Sequence, residues 1–188
     1  MNYYEELNFT SESFKELIPL QATEFVNCSF ESIDFSSLHL SLSKFLECRF
    51  LKCNLSNVRV KNASFRDTVF SESKLVGINW SETQLLSNPT YENSILDFSV
   101  FHNLKLDKAI FKNCSIKEVD FYESQLVSAV FEGSNLNKAT FNKANLSKAD
   151  FRNAFDYFID LKETNVKNAK FSLPEAINLL RSLEIIVE

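Results

Sequence analysis

Large apolar residues recur at every fifth position from Leu20 to Leu85 and, after a register slip of one residue, from Tyr91 to Phe171, with Asp156 as the single exception. Fourteen of the 19 phenylalanines lie on these central positions. The residue two places before each centre is uncharged and usually small, and the remaining three positions are mostly polar. A period of five fits neither an α-helix nor a flat strand. The pattern therefore predicts a turn in every pentad, with one large and one small side chain pointing inward.

The clearest copies of the repeat are Ala144-Asn145-Leu146-Ser147-Lys148 and Ala149-Asp150-Phe151-Arg152-Asn153. In these residues the chain resembles the pentapeptide-repeat family, and the resemblance covers about residues 20–171. It implies an all-β fold: a right-handed quadrilateral β-helix, or pentapeptide-repeat solenoid, with four pentads per coil and nearly eight coils.

Stacking at twenty residues supports this architecture, because like residues then lie above like, as expected for neighbouring coils that pair as strands. At ~4.8 Å between strands, the rod is roughly 35–40 Å long. One such column consists of Phe30, Phe50, Phe70, Tyr91, Phe111, Phe131, Phe151 and Phe171.

The sequence divides into three segments. Residues 1–19 are an N-terminal cap or imperfect first coil, residues 20–171 are the β-helix, and residues 172–188 are a C-terminal cap. We expect the one-residue slip near residues 86–90, where Asn88-Pro89 favours a turn. Asp156 is the one charged centre, so we expect the coil to loosen there and Phe155 or Phe158 to take the core place.

The C-terminal segment begins with Ser172-Leu173-Pro174-Glu175, which has the form of a helix capping box. We expect a short α-helix over about residues 173–182, followed by a short apolar strand. In several pentapeptide-repeat proteins a C-terminal helix and strand form a twofold contact. The resemblance therefore implies a homodimer, with candidate contacts at Leu179, Leu183, Ile185 and Ile186.

Composition narrows the function classes. The N-terminus lacks the features of a secretory signal and no apolar run is long enough to span a membrane, so we expect a cytoplasmic protein. A net charge of −5 argues against a nucleic-acid partner. The four cysteines all occupy small inward positions and are expected to be core fillers. No motif points to a catalytic, cofactor-binding or metal site, so we do not expect an enzyme.

Two sets of outward residues are candidates for binding a partner. The first combines acidic residues of the N-terminal half with the slipped segment: Glu47, Asp67, Glu82, Leu86, Asn88, Pro89, Glu92 and Asp97. The second is an apolar stripe, which is unusual for a solvated face: Val26, Leu46, Leu86 and Val127.

Two functions remain open. Resemblance to Qnr-like members of the family implies a mimic of B-form DNA that binds DNA gyrase or topoisomerase IV and protects it from inhibitors. The alternative is a generic interaction scaffold with an unknown protein partner. Duplex DNA carries one charge per ~1.7 Å, far more than this chain offers, which argues against close mimicry.

Overall fold

The protein is a parallel β-solenoid of about eight turns. The computed structural model describes residues 2–14, 20–36 and 38–183. Most strands have only three residues, because the chain turns once in every pentad. The strands are β1 (Tyr3–Glu5), β2 (Asn8–Thr10), β3 (Glu24–Val26), β4 (Ser29–Glu31), β5 (Lys44–Leu46), β6 (Arg49–Leu51), β7 (Ser64–Arg66), β8 (Val69–Ser71), β9 (Leu85–Ser87), β10 (Thr90–Glu92), β11 (Ile110–Lys112), β12 (Asp150–Phe151) and β13 (Lys170–Phe171).

Four faces run along the rod. Face 1 contains the sheet β1-β3-β5-β7-β9, and face 2 contains β2, β4, β6, β8, β10 and β11, then β12 and β13. On faces 3 and 4, single parallel bridges join each coil to the next, such as Asn54 to Lys74 on face 3 and Val100 to Asp120 on face 4. We number the coils 1 to 9, the last being partial, by their central residue on face 1: Tyr4, Phe25, Phe45, Phe65, Leu86, Leu106, Leu126, Leu146 and Val166.

The core is a set of stacked side-chain ladders. On face 2, Phe30 and Phe50 stack with ring centroids 4.8 Å apart, and Phe111 and Phe131 stack at 5.1 Å. Small inward residues form hydrogen bonds between neighbouring coils. The Ser73 hydroxyl, for example, accepts a hydrogen bond from the Cys53 N–H at 3.0 Å and donates to the Phe50 carbonyl. Burying each large side chain contributes about 1.5–3 kcal/mol, which is why the period of five specifies the fold.

The corners between faces require a left-handed backbone. Asn57 has φ 56°, Asp67 has φ 53° and Lys108 has φ 62°. Short polar residues tolerate this region best, and Gly77, with φ 69°, occupies one corner. Charged residues are also common at the corners, where their side chains point into solvent.

The register slip lies earlier than the sequence predicted. Ser64 pairs with Leu85 and Phe65 with Leu86, so the extra residue precedes Leu85 and does not lie within residues 86–90. A 3-10 turn, Trp80–Glu82, takes up the extra residue, and its N-terminal cap is the side chain of Asn79. Leu86 is therefore buried and Leu85 is 44% exposed. Either Leu85 or Leu86 can occupy the apolar centre, so the sequence pattern alone does not locate the slip.

The N-terminal segment stacks on the solenoid as coil 1. Tyr4 pairs with Phe25 and Phe9 with Phe30, each 21 residues along the chain. A four-residue helix, α1 (Ser11–Phe14), follows, and Phe14 packs its ring 4.8 Å from that of Phe35. Phe9 and Phe14 therefore belong to the same core as the regular repeats, and Tyr4 packs against it.

The C-terminal end differs from the predicted α-helix. Glu175–Leu183 forms a 3-10 helix. The Ser172 hydroxyl accepts a hydrogen bond from the N–H of Asn153, one coil below. No helix among the described residues is long and apolar enough to cross a membrane.

The coil at Asp156 loosens as expected, but neither predicted phenylalanine fills the core. Phe155 and Phe158 are 41% and 53% exposed. Tyr157 is buried in their place, and Ile159 fills the regular inward position two places before Leu161. The charged centre has shifted the inward position by one residue.

Candidate protein-binding face

Face 1 presents two adjacent outward columns of side chains. We call the residues that directly follow each centre the central column: Glu5, Val26, Leu46, Arg66, Ser87, Asp107, Val127, Ser147 and Lys167. We call the next residues, at the border with face 2, the corner column: Glu6, Asn27, Glu47, Asp67, Asn88, Lys108, Ser128, Lys148 and Asn168.

Apolar side chains are accessible along the N-terminal half of face 1. Leu85 is 44% exposed, and Leu46 and Val26 are half-buried. Leu46 and Leu85 line a shallow open groove of about 380 Å³, together with Lys44 and Arg66. A groove with an apolar floor and charged walls is suited to a protein partner, because burial of the floor stabilises the complex and the walls orient it.

Charge on face 1 is segregated along the rod. Coils 1 to 4 present five acids against two bases, and coils 6 to 9 present four lysines against one acid. Within the described chain, no ion pair joins the four lysines to any acid. The acids are Glu5, Glu6, Glu24, Glu47 and Asp67, with bases Lys44 and Arg66; the lysines are Lys105, Lys108, Lys148 and Lys167, with the acid Asp107.

On face 2, acidic and basic side chains alternate from coil to coil and are not segregated along the rod. Glu92, Lys112, Glu132 and Arg152 alternate in sign in one column. Lys112 Nζ lies 3.6 Å from a Glu132 carboxylate oxygen. Arg152 forms an ion pair of 2.7 Å with Asp150 instead, and the guanidinium hydrogen bonds hold the pKa of that carboxyl below its ordinary value. Several charges of face 2 are therefore paired within the chain.

Three of the predicted partner-binding residues lie together. Glu47, Asp67 and Asn88 occupy successive coils of the corner column, and all three are exposed. The Asn88 side-chain amide donates to the Asp67 carboxylate at 2.9 Å. Leu86 and Pro89 are both buried, so neither is accessible to a partner in the single chain. The corrected register turns Leu86 into the core, whereas Pro89 occupies the inward position two places before the centre Tyr91.

The other predicted acids are dispersed over the remaining faces. Glu82 accepts a hydrogen bond from the Asn79 amide on face 4, and Glu92 belongs to the ladder of face 2. Asp97, on face 3, accepts hydrogen bonds from the Ser115 hydroxyl at 2.7 Å and the Lys117 N–H at 2.9 Å. These residues stabilise turns and coil contacts, so the predicted acidic set does not form one surface.

The apolar stripe is partly where the sequence placed it. Val26, Leu46 and Val127 lie in the central column, but Ser87 replaces Leu86 there. Of the dimer candidates, Leu179 packs against the core and Leu183 is 41% exposed. Ile185 and Ile186 lie outside the described residues.

Sequence reasoning missed a cluster on face 4. His102 Nε2 lies 2.7 Å from one carboxylate oxygen of Asp120, and the other oxygen accepts the Thr140 hydroxyl at 2.7 Å. Desolvation raises the pKa of Asp120, but hydrogen bonds from Thr140 and His102 outweigh it and leave the pKa lowered. Residues 18 and 20 apart meet here because adjacent coils stack, a signal that only the coil period reveals.

The four cysteines are buried and unpaired by disulfides. Burial raises the pKa of Cys48 and Cys114 to about 12 and that of Cys53 to about 11. Such thiols are poor nucleophiles at neutral pH. Among the described residues, no group of three or more His, Cys, Asp or Glu could hold a metal ion.

Two family descriptions match the chain. "Pentapeptide repeat region" matches residues 23–101, and "Pentapeptide repeats (8 copies)" matches residues 94–133 and 114–153. The chain belongs to the pentapeptide-repeat family. The period-five core and the parallel coils described above are thus the family's own pattern. No curated protein matches the chain.

Several solved pentapeptide-repeat structures are similar to this chain. QnrB1, a plasmid-mediated fluoroquinolone resistance protein, is 18% identical, with a TM-score of 0.49 over 100% of this chain and 98% of that one. HetL, involved in heterocyst differentiation regulation in the cyanobacterium Nostoc sp. strain PCC 7120, is 14% identical, with a TM-score of 0.38 over 88% and 85%. Rfr23 from the cyanobacterium Cyanothece 51142 is 15% identical, with a TM-score of 0.26 over 87% and 94%.

Proposed function

We propose that this chain is a non-enzymatic, cytoplasmic protein-binding solenoid whose interaction surface is face 1. One observation carries the proposal: face 1 combines accessible apolar side chains at Leu46 and Leu85 with four lysines in coils 6 to 9 that form no ion pair with any acid among the described residues. Solenoids commonly bind partners through such long, flat surfaces. Exposed apolar groups flanked by unpaired charge are stabilised when a partner covers them.

The test is affinity capture with surface variants. Leu46→Lys combined with Leu85→Lys places two charges on the groove floor without touching the core. We expect loss of proteins captured by the wild-type chain, with an unchanged denaturant midpoint. Ile95→Lys, on face 3, is the matched control because Ile95 is 38% exposed. Capture that survives the double substitution, or is lost equally in the control, contradicts the assignment to face 1.

A second candidate is a DNA mimic that binds DNA gyrase or topoisomerase IV. It is favoured by the excess of acids over bases on coils 1 to 4 of face 1. The lysines of coils 6 to 9 oppose it, since duplex DNA is negative along its whole length. The test is gyrase supercoiling titrated with the purified protein, with and without a quinolone. Inhibition or rescue from the drug supports mimicry, and no effect at micromolar protein removes it.

A further inference from the structure

The central column of face 1 is a palindrome with inverted charge. Counting outward from Ser87, Arg66 is matched by Asp107, Leu46 by Val127, and at the ends Glu5 by Lys167. The parallel pairing of Tyr91 with Phe111 on the adjoining face places Asp107 one coil beyond Ser87. Every charged residue of this column therefore has an opposite charge at the same distance on the other side of coil 5.

We propose that face 1 binds face 1 of a second copy, side by side and antiparallel, with a twofold axis at coil 5. The inference rests on the proposed function and names its partner. A twofold axis that lies in the interface, perpendicular to the two rods, places each column opposite the same column of the second copy in reverse order. Arg66 then lies opposite Asp107 of the second copy, Leu46 opposite Val127, and Glu5 opposite Lys167.

The two flanking columns fit the same axis: one pair of opposite charges is matched, and their other charged residues lie opposite neutral ones. In the corner column Asp67 lies opposite Lys108 of the second copy, and Asn88 lies on the axis. In the column that precedes the centres, Leu85 meets Leu85 at the axis, where it is 44% exposed in the single chain. At no level of the three columns do two like charges oppose each other within the described residues.

The charge pattern also fixes the orientation and register. A parallel pair would place the acidic coils 1 to 4 against the same coils of the second copy, which is repulsive. Shifting the antiparallel pair by one coil would place Leu46 against Asp107 and remove the match. Nucleic acid is a poor alternative occupant because the acidic half of the face repels phosphate.

Other faces do not show this complementarity. On face 2 the Lys112–Glu132 and Lys52–Glu72 pairs, 3.6 and 3.9 Å, neutralise charge between adjacent coils. Face 1 is one pentad wide and about 38 Å long, so the interface is small. We therefore expect a dissociation constant of about 10 μM. Its exposed charges make the association salt-dependent.

The test is sedimentation equilibrium of the full chain at about 0.05 M and about 0.5 M salt, with X-ray scattering on the same samples. We expect a dimer that weakens with salt and keeps the length of one rod while its cross-section grows. Asp67→Lys or Lys108→Asp alone should weaken the dimer about tenfold, since each change acts twice in a twofold interface. The double exchange Asp67→Lys with Lys108→Asp should restore it.

The substitutions are compatible with folding, because both residues occupy left-handed corners where lysine and acids occur elsewhere in this chain. Lys138→Asp, at a corner of another face, is the control and should leave association unchanged. A monomer throughout, a dimer of doubled length, or a double exchange that fails to restore association would overturn the proposal. If partner capture still depends on Leu46 and Leu85 while the chain stays monomeric, the proposed function stands and the self-association fails.

Discussion

Faces 1 and 2 are built on the same core yet differ on the outside. Both carry parallel ladders over stacked aromatic or aliphatic side chains. Outside, the charges of face 2 alternate and pair between adjacent coils, whereas those of face 1 are acidic at one end and basic at the other. The difference shows that the repeat fixes the fold through its inward positions and leaves the outward positions free to specify a partner.

The largest effect is expected from a core substitution, because it destabilises the coil on which both faces are built. Phe111 is fully buried and stacks on both Tyr91 and Phe131. Phe111→Ala should cost about 3–5 kcal/mol of unfolding free energy, through lost burial and the cavity left behind. Chemical denaturation measures this cost. Ile110→Ala, on the adjacent outward position, is the control and should cost less than about 1 kcal/mol; equal costs would contradict the inward assignment.

A matched pair of charge reversals tests the comparison directly. Lys112→Glu would place three glutamates in succession on face 2 and should cost at most about 1 kcal/mol of stability, without affecting association. Lys108→Glu, four residues earlier on the corner of face 1, should leave stability unchanged and weaken association. Thermal unfolding and sedimentation on both variants measure the two effects. Weakened association in Lys112→Glu, or none in Lys108→Glu, would count against a face-specific role.

The smallest effect concerns the acid stability of face 2. Hydrogen bonds from the Arg152 guanidinium lower the pKa of Asp150. A lowered folded-state pKa stabilises the protein above the unfolded value of about 3.9, and this contribution is lost as pH falls through the folded pKa. Arg152→Gln should therefore lower the unfolding temperature above about pH 4, and this deficit should vanish as pH falls through the folded pKa. Thermal unfolding between about pH 2 and pH 7 measures the deficit, and a deficit that is the same at every pH would contradict the prediction.

The fold was predictable because the large and small inward positions repeat over most of the chain. The register at Leu85 and Leu86 was not, since either leucine satisfies the pattern and only ladder pairing decides between them. That single residue moved Leu86 from the surface into the core and brought Leu85 to the surface. The predicted capping box does not form, because the Ser172 hydroxyl accepts the Asn153 N–H and the Glu175 carboxylate accepts the Asn178 amide. The predicted α-helix is a 3-10 helix.

The candidate site was only partly predictable. Val26 and Leu46 follow from the repeat, as does the acidity of the N-terminal half. The palindrome required the corrected register, because it is centred on Ser87, which enters the central column only when the slip precedes Leu85. Contacts such as His102 with Asp120 depend on which coils stack, and local propensity carries no information about them.

The most direct measurement is the distance between spin labels on two copies, by pulsed electron resonance. Ser87→Cys and Ser147→Cys place a label in the same column, three coils apart, while the native thiols stay buried. The antiparallel pair predicts the shorter distance at position 87, with labels at position 147 offset along the rods by about 29 Å. A shorter distance at position 147 than at 87 would indicate end-to-end pairing through the C-terminus and contradict the account.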